Sequence, residues 1–269
     1  MSDTDAVATE RPPADGPARE AVAYLSASSS RLRVFRAIAD GVSRPGTLAE
    51  AAGVSRTTVH RCLNEFDDHG WVTDCADGYA VTAAGRAVLE GYADLLARVA
   101  RADRYGPFLA AFDRADECPL PSEAEVAVAE PTDPHAPVEF LSSRLPDPED
   151  VDRLVGFVPV VTPAFDRAYG PLIAAGVETD LVLPGAAFER AREAYPESVE
   201  RAEAADNLTV MVTDREVEVG VSLFPEEVFL GAYGDDGQFR ACLHTTDRDV
   251  RSWARELVDG HREAARPVA

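Results

Sequence analysis

The sequence contains no lysine at all, so arginine is the only side chain that carries a permanent positive charge. Its 26 arginines face 48 aspartates and glutamates, and the formal net charge is −22. A chain with this charge lacks the broad basic surface through which most proteins are attracted to nucleic acid. Contacts with phosphate would therefore have to come from a local group of arginines.

Cysteine is also scarce, and its spacing excludes two kinds of site. The four cysteines, Cys62, Cys75, Cys118 and Cys242, form no C-x-x-C pair, which excludes the usual zinc motifs and a disulfide framework. We expect reduced and mostly buried thiols; a redox-sensing thiol is the alternative. The sequence predicts no metal site and no cofactor.

Long apolar runs are missing as well, and the longest is far shorter than a membrane span requires. The first residues are acidic and proline-rich, without the basic start and apolar core of a signal peptide. We expect a cytoplasmic protein whose residues 1–24 form a disordered acidic tail. The length of 269 residues favours two domains.

Residues 28–64 reverse the charge balance of the chain. They contain six arginines and only two acidic residues, which gives a net charge of +4. The arginines are Arg31, Arg33, Arg36, Arg44, Arg56 and Arg61. This basic segment of an acidic chain is the candidate contact for a polyanion.

The same segment has the pattern of a helix-turn-helix. Residues 28–41 predict a first helix. Thr47 and Glu50 are spaced as a capping box for a second helix, Gly53 suits the tight turn, and Ser55 suits the cap of a third helix. In the third helix an apolar stripe recurs at helical spacing and must face the core. The stripe consists of Val59, Cys62, Leu63 and Phe66.

A hairpin is predicted after the third helix. Residues 71–82 contain Asp77-Gly78, a strong two-residue turn signal, between two strand-like segments. Three helices and a hairpin make a winged helix-turn-helix, and residues 28–82 resemble the ArsR- and TrmB-type DNA-binding domains of archaeal regulators. The resemblance implies an α+β winged helix-turn-helix domain over residues 25–82 that binds double-stranded promoter or operator DNA.

The third helix and the hairpin supply the predicted DNA contacts. We assign Arg56, Thr57 and His60 to base edges, because the first half of a recognition helix enters the major groove. The alternatives are a solvated helix face, or a winged helix used only for protein–protein interaction. The complete set is Ser55, Arg56, Thr57, Thr58, His60, Arg61, Asn64 and Gly78.

A fourth helix is predicted over residues 83–105, as a linker and dimerisation helix. Val88, Tyr92, Leu95 and Val99 follow the alternating spacing of a helix-pairing seam. We expect this seam to hold a homodimer, since two-fold regulators bind paired half-sites. Packing of the seam onto its own domain is the alternative.

Strand-like and helix-like segments alternate in residues 120–266, after a proline-containing boundary at residues 115–125. This order predicts an α/β domain with a mixed sheet, in which Thr162 and the pair Thr246 and Asp249 cap two helices. The segments resemble the effector domain found behind winged helices in haloarchaeal and methanogen regulators, including the methanogen filament-and-methanogenesis regulator family. The resemblance implies a phospholipase D-like topology and a sensing role.

An enzymatic alternative follows from that topology. Phospholipase D-type phosphodiesterases use H-x-K-x(4)-D, whereas the nearest segment here is His244-Thr-Thr-Asp247 and no lysine exists to hold a phosphate. We therefore expect no catalytic residue and no enzyme, with a phosphodiesterase as a remote alternative. A sensing domain needs an unknown small-molecule effector, whether a sugar, a sugar phosphate or a redox cue. Its candidate binding residues are Thr162, Tyr169, Tyr233 and His244.

The acidic composition itself resembles that of proteins from salt-accumulating archaea. At molar salt the Debye length is about 3 Å, so distant carboxylates no longer repel a phosphate. The sequence as a whole predicts a dimeric, sequence-specific transcriptional regulator of a salt-adapted archaeon.

Overall fold

The structure is a computed structural model that describes residues 16–268, and the chain divides into two compact units, Met1–Val99 and Ala100–Ala269. The division lies earlier than the boundary that the sequence suggested at residues 115–125. It lies inside a helix, because Tyr105, Phe108 and Phe112 are buried in the core of the second unit.

The first unit consists of helices followed by an antiparallel hairpin. Its elements are α1 (Pro17–Ser26), α2 (Ser29–Ala39), α3 (Pro45–Ala52), α4 (Arg56–Asp68), β1 (Val72–Cys75), β2 (Gly78–Val81) and the first part of α5 (Ala83–Leu109). Helix α1 corrects the prediction of a disordered tail over residues 17–24, because Leu25 on this helix is buried in the core. The rest of that prediction, residues 1–15, lies outside the described residues.

Aromatic rings hold the core of the first unit together. The ring of Phe35 stacks on Phe66 at 4.7 Å between centroids and on Trp71 at 5.5 Å. The apolar stripe predicted on α4 is buried, so α4 packs with one face against α2 and α3. The helical period of the sequence therefore predicted the orientation of α4 correctly.

Two local predictions in the first unit are corrected. Helix α3 begins at Pro45 with Arg44 at the N-cap, so Thr47 and Glu50 form no capping box; proline at the first helical position sets the start. In the hairpin Cys75 pairs with Gly78, so the turn is Ala76-Asp77, one residue earlier than predicted. By contrast, the predicted tight turn at Gly53 is confirmed by its left-handed φ of 62°.

The second unit is built on one eight-stranded mixed sheet, as the sequence predicted. The strand order is β10-β6-β5-β4-β7-β8-β9-β3, in which β4, β5 and β6 are parallel and the other neighbours antiparallel. The elements are β3 (Glu125–Val128), α6 (Ala136–Arg144), β4 (Arg153–Phe157), α7 (Pro163–Ala174), β5 (Glu178–Pro184), α8 (Gly185–Ala194), α9 (Pro196–Glu203), β6 (Leu208–Thr213), β7 (Val219–Leu223), β8 (Val228–Tyr233), β9 (Phe239–Thr245), α10 (Arg248–Glu263) and β10 (Ala265–Pro267).

Helices cover both faces of this sheet. Phe157 of β4 is buried in one cluster with Val250 and Ala254 of α10. Leu154, three residues before Phe157 on the same strand, is buried in another cluster with Leu172 of α7. Because successive side chains on a strand alternate between its faces, α10 and α7 lie on opposite sides of the sheet.

Helix capping in the second unit follows the prediction at one site and differs from it at the other. Thr162 is the N-cap residue of α7, as predicted, although its side chain makes no capping hydrogen bond. The cap of α10 is Asp247, not Thr246: its carboxylate accepts hydrogen bonds from the backbone N–H groups of Asp249 at 3.0 Å and Val250 at 3.3 Å. A carboxylate suits this position because it also complements the helix dipole.

His261, at the end of α10, predicts a pH dependence of stability. Its ring packs on Phe157 at 4.3 Å between centroids, and burial, followed by the charges of Arg114 and Arg215, lowers the pKa of the imidazole below 6.5. As pH falls below 6.5 the unfolded chain binds a proton before the folded chain does, so the folded state loses stability toward the lower, folded-state pKa. We expect His261→Gln to lose less unfolding free energy than the natural chain between pH 7 and pH 5.5. Denaturant unfolding of both chains at the two pH values measures this difference. Equal losses of unfolding free energy in the two chains would show that His261 has the same pKa in the folded and the unfolded state.

Candidate nucleic-acid interface and ligand cavity

Helix α4 presents one polar face to solvent, opposite to its buried stripe. The exposed residues on this face are Arg56, Thr57, His60, Arg61 and Asn64. At 100° per residue they occupy an arc of about 140° on the helix. This face is polar and carries no large apolar side chain, as an approach to base edges and phosphates requires.

Three other predicted contacts have local structural roles. The Ser55 hydroxyl caps α4 by accepting a hydrogen bond from the Thr58 N–H at 3.1 Å, and it also pairs with the Thr58 hydroxyl at 2.9 Å. Gly78 has φ +127° and lies against the carbonyl of Ser43, where a Cβ would come within 2.3 Å of the oxygen. These residues fix the start of α4 and the position of the hairpin.

The six arginines of the basic segment separate into two groups. Arg31 lies over the Tyr24 ring at 3.9 Å, and Arg33 donates a hydrogen bond to the carbonyl of Ala52 at 2.9 Å, so both stabilise the first unit itself. The other four are exposed, and none has an ion pair within residues 16–268. They are Arg36, Arg44, Arg56 and Arg61. The spacing of the arginines along the sequence could not show this division, because it depends on which residues of other helices lie beside each arginine.

The four residues of the predicted seam on α5 also fall into two groups, one packed against the first unit and one exposed. Val88 and Tyr92 pack into the core of the first unit, and the Tyr92 hydroxyl donates a hydrogen bond to Ser26 at 3.1 Å. The burial of Tyr92 corrects the prediction that this residue pairs with a second chain, whereas Val88 is only half-buried. Leu95 and Val99 are 44% and 50% exposed, and Leu96, which the heptad spacing missed, is 43% exposed.

A cavity of about 460 Å³ lies in the second unit, beside the parallel strands. Strand β5 contributes its floor with Leu181 and Leu183, and residues of α7, α8 and α9 form its walls. Of the four tentative ligand residues, Thr162 and Tyr169 line this cavity. Tyr233 packs in a neighbouring aromatic cluster with Phe165 and Phe239, and is not part of the lining.

Two pairs of polar side chains in the lining are hydrogen-bonded to each other. The hydroxyls of Tyr169 and Ser222 are 2.7 Å apart, and burial raises the pKa of Tyr169, so its phenol stays neutral. Asp166 of α7 accepts hydrogen bonds from Ser198 at 3.1 Å and Arg201 at 2.8 Å, both on α9. The two helices are thus tied together beside the cavity.

His244 and Asp247 do not form a common site. His244 stacks on Phe229, and its Nε2 lies 2.5 Å from a carboxylate oxygen of Glu227. Asp247 is used as the cap of α10 and as an acceptor for the backbone N–H of Ser122 at 2.8 Å. His244 does not line the cavity either, because its ring is held on β9 by these contacts.

The cysteines follow the prediction in part. All four are free thiols; Cys62 and Cys242 are buried, and burial raises the pKa of Cys118 to about 12. Cys75, on the hairpin, is exposed, contrary to the expectation of mostly buried thiols. Within residues 16–268 no three histidine, cysteine, aspartate or glutamate side chains are grouped so that they could hold a metal ion.

Comparison with solved structures finds distant similarities. TrmBL2, an archaeal chromatin protein, aligns over 93% of this chain and 99% of its own at 16% identity and a TM-score of 0.41. Nuc, a phospholipase D family member from Salmonella typhimurium, aligns over 54% of this chain and 99% of its own at 14% identity and a TM-score of 0.37. Phosphatidylserine synthase from Haemophilus influenzae Rd KW20 aligns over 55% of this chain and 41% of its own at 13% identity and a TM-score of 0.39.

Family models match two separate segments of the chain, one before and one after residue 120. No curated protein sequence matches the chain. In the part of the chain that the structure describes, no helix combines the length and apolarity needed to cross a membrane. Residues 19–104 match the family model of the HVO_A0261 N-terminal domain, and residues 134–264 match that of the middle domain of the methanogenesis regulatory protein FilR1, which supports a transcriptional regulator.

Proposed function

We propose that this protein is a cytoplasmic, sequence-specific DNA-binding transcriptional regulator, and that it acts as a homodimer. The first unit is a winged helix-turn-helix, with α4 as the recognition helix and the β1–β2 hairpin as the wing. The second unit, of phospholipase D-like topology without catalytic residues, senses a small-molecule effector. The regulator family match over residues 134–264 supports the regulatory role.

One observation carries the DNA-binding part of this proposal. Helix α2, the N-cap of α3 and the solvent-facing side of α4 together present four exposed arginines without ion pairs among the described residues. In the second unit eight of the sixteen arginines are paired with carboxylates, as Arg144 is with Glu125 and Arg153 with Asp180. Unpaired arginines in a chain of net charge −22 remain available for phosphates and base edges.

Binding to the promoter of the protein's own gene tests the proposal. We expect fluorescence anisotropy to show tighter binding to this promoter than to random DNA of the same length, at KCl concentrations from 0.2 M to the molar range. Arg167→Ala, which removes an exposed arginine from α7 of the second unit, is the control and should bind as the natural chain does.

Absence of binding at every KCl concentration would contradict the proposal. Retention of a protein partner in a pull-down, together with indifference to DNA, would instead favour a winged helix used for protein–protein interaction. Turnover of a chromogenic phosphodiester that is lost in His244→Ala would favour the phosphodiesterase.

A further inference from the structure

The cavity of the second unit restricts the chemistry of the ligand it can hold. Its volume of about 460 Å³ lies within the range of sites that enclose a drug-sized molecule. Branched aliphatic side chains dominate the lining, with Val158, Val161 and Ile173 beside the β5 leucines. Such a surface favours an apolar ligand, because binding removes apolar area from water on both partners.

Small residues on the surrounding helices keep the cavity open. Gly170 lies in the interior of α7 and lines the cavity, and a Cβ at this position would meet no atom within 4 Å. Ala191 of α8 and Ser198 and Ala202 of α9 line the cavity as well. Glycine destabilises the interior of a helix relative to alanine, so Gly170 leaves this space open at a cost in stability.

The hydrogen-bonding capacity of the lining is small for a sugar. Tyr169 and Ser222 satisfy each other, and Asp166 is held by Ser198 and Arg201. This leaves only three lining hydroxyls without a partner within the described residues, those of Thr162, Tyr195 and Thr209. A sugar brings many hydroxyl groups, each of which loses free energy if it leaves water without a new partner. The lining therefore disfavours a free sugar.

The charges of the lining disfavour an anion. Among the described residues its only charged side chains are three carboxylates, Asp166, Asp180 and Glu203. Arg201 pairs with the first, and Arg153 and Arg262 pair with the second from outside the lining, while Glu203 has no ion pair within the described residues. A phosphate or carboxylate on the ligand would lose its hydration and face groups of its own sign.

We propose that this cavity binds an apolar, drug-sized ligand that is uncharged or cationic, and that it excludes sugars and phosphorylated or other anionic molecules. The role of this ligand as an effector rests on the proposed regulatory function. The binding of the ligand does not rest on that function, because every lining residue belongs to the second unit.

Two fluorescent probes that differ by one sulfonate test the proposal on the full-length protein. N-phenyl-1-naphthylamine is uncharged, and 8-anilino-1-naphthalenesulfonate has the same ring system with an anionic group. We expect saturable, one-site binding of the uncharged probe, and binding of the sulfonate weaker by roughly tenfold or more, because a buried sulfonate loses its hydration. Glucose 6-phosphate and maltose should not displace the uncharged probe.

Matched glycine variants locate the binding site. Gly170→Phe fills the cavity and should abolish saturable binding of the uncharged probe. Gly260→Phe should leave it unchanged, since Gly260 is also a half-buried helical glycine with open space at its Cβ but lies on α10, outside the lining. If Gly170→Phe does not fold, Ala202→Trp fills the cavity from α9 instead. Equal affinity for the two probes, or unchanged binding in a folded, filled variant, would overturn the proposal.

Anisotropy with promoter DNA separates this inference from the regulatory function. Probe binding without DNA binding would leave the ligand site standing and refute the regulator. DNA binding by the natural chain without saturable probe binding would refute the ligand class and leave the regulator standing.

Discussion

Arg56→Ala should weaken binding to the operator and also reduce the preference for it over random DNA. Arg56 is the first residue of α4, is exposed, and lies where a recognition helix enters the major groove. A bidentate arginine–guanine contact is worth about 1–3 kcal/mol of discrimination between bases, or roughly fivefold to 150-fold in affinity. Anisotropy titrations with operator and random DNA, under identical KCl, measure both effects.

Arg61→Ala is the matched comparison on the same helix. Arg61 lies one and a half turns further along the polar face of α4 and is proposed to contact a phosphate or to act in a mixed role. Loss of a phosphate contact should weaken binding to all sequences alike and reduce the slope of log affinity against log salt by about one. Arg56→Ala should therefore differ from Arg61→Ala in its effect on sequence preference. If Arg56→Ala weakens binding to operator and to random DNA by the same factor, the assignment of Arg56 to the major groove is wrong.

Leu95→Arg should convert the proposed homodimer into a monomer. Leu95, Leu96 and Val99 form an exposed apolar patch on α5, and Val22 on α1 is another exposed apolar residue of the same unit, at 41% exposure. A charge placed at the centre of an apolar interface must either be buried without a partner or keep the two chains apart. Sedimentation or size-exclusion chromatography with light scattering measures the mass directly.

Operator affinity should fall together with the dimer, because each monomer then binds only one half-site. The control is Ala97→Arg, which adds the same side chain at an exposed position on another face of α5 and should remain dimeric. A Leu95→Arg variant that is still a dimer would place the interface elsewhere, with the exposed edge of the second unit's sheet as the next candidate.

The periodicity of the sequence determined the main features of the first unit. The i, i+3, i+4, i+7 spacing of Val59, Cys62, Leu63 and Phe66 predicted the buried face of α4, and this face is buried in the structure. The position of Gly53 predicted the left-handed turn before it. Both follow from local geometry, the 3.6-residue period of a helix and the freedom of glycine at positive φ, and need no knowledge of distant contacts.

In the second unit the order of strand-like and helix-like segments was enough to predict a mixed sheet. The exact caps were not predictable, because several residues near a helix start are chemically suitable. Asp247, not Thr246, caps α10, because the helix begins at Arg248, and the same carboxylate also accepts a hydrogen bond from Ser122, 125 residues away along the chain.

Tertiary structure alone decided which side chains are available for binding. Arg31 and Arg33 have the same chemistry as Arg56, but the ring of Tyr24 and the carbonyl of Ala52 engage them. Tyr92 has the spacing of a dimer seam, but it is buried in its own unit and only Leu95 and Val99 of that seam stay exposed. The cavity likewise depends on α7, α8 and α9 meeting over β5 with small residues between them. The sequence by itself determined helix faces, turns and the basic segment, because these depend on neighbours along the chain. The pairing of arginines, the exposed apolar patch and the cavity depend instead on contacts between distant segments, which only folding brings together.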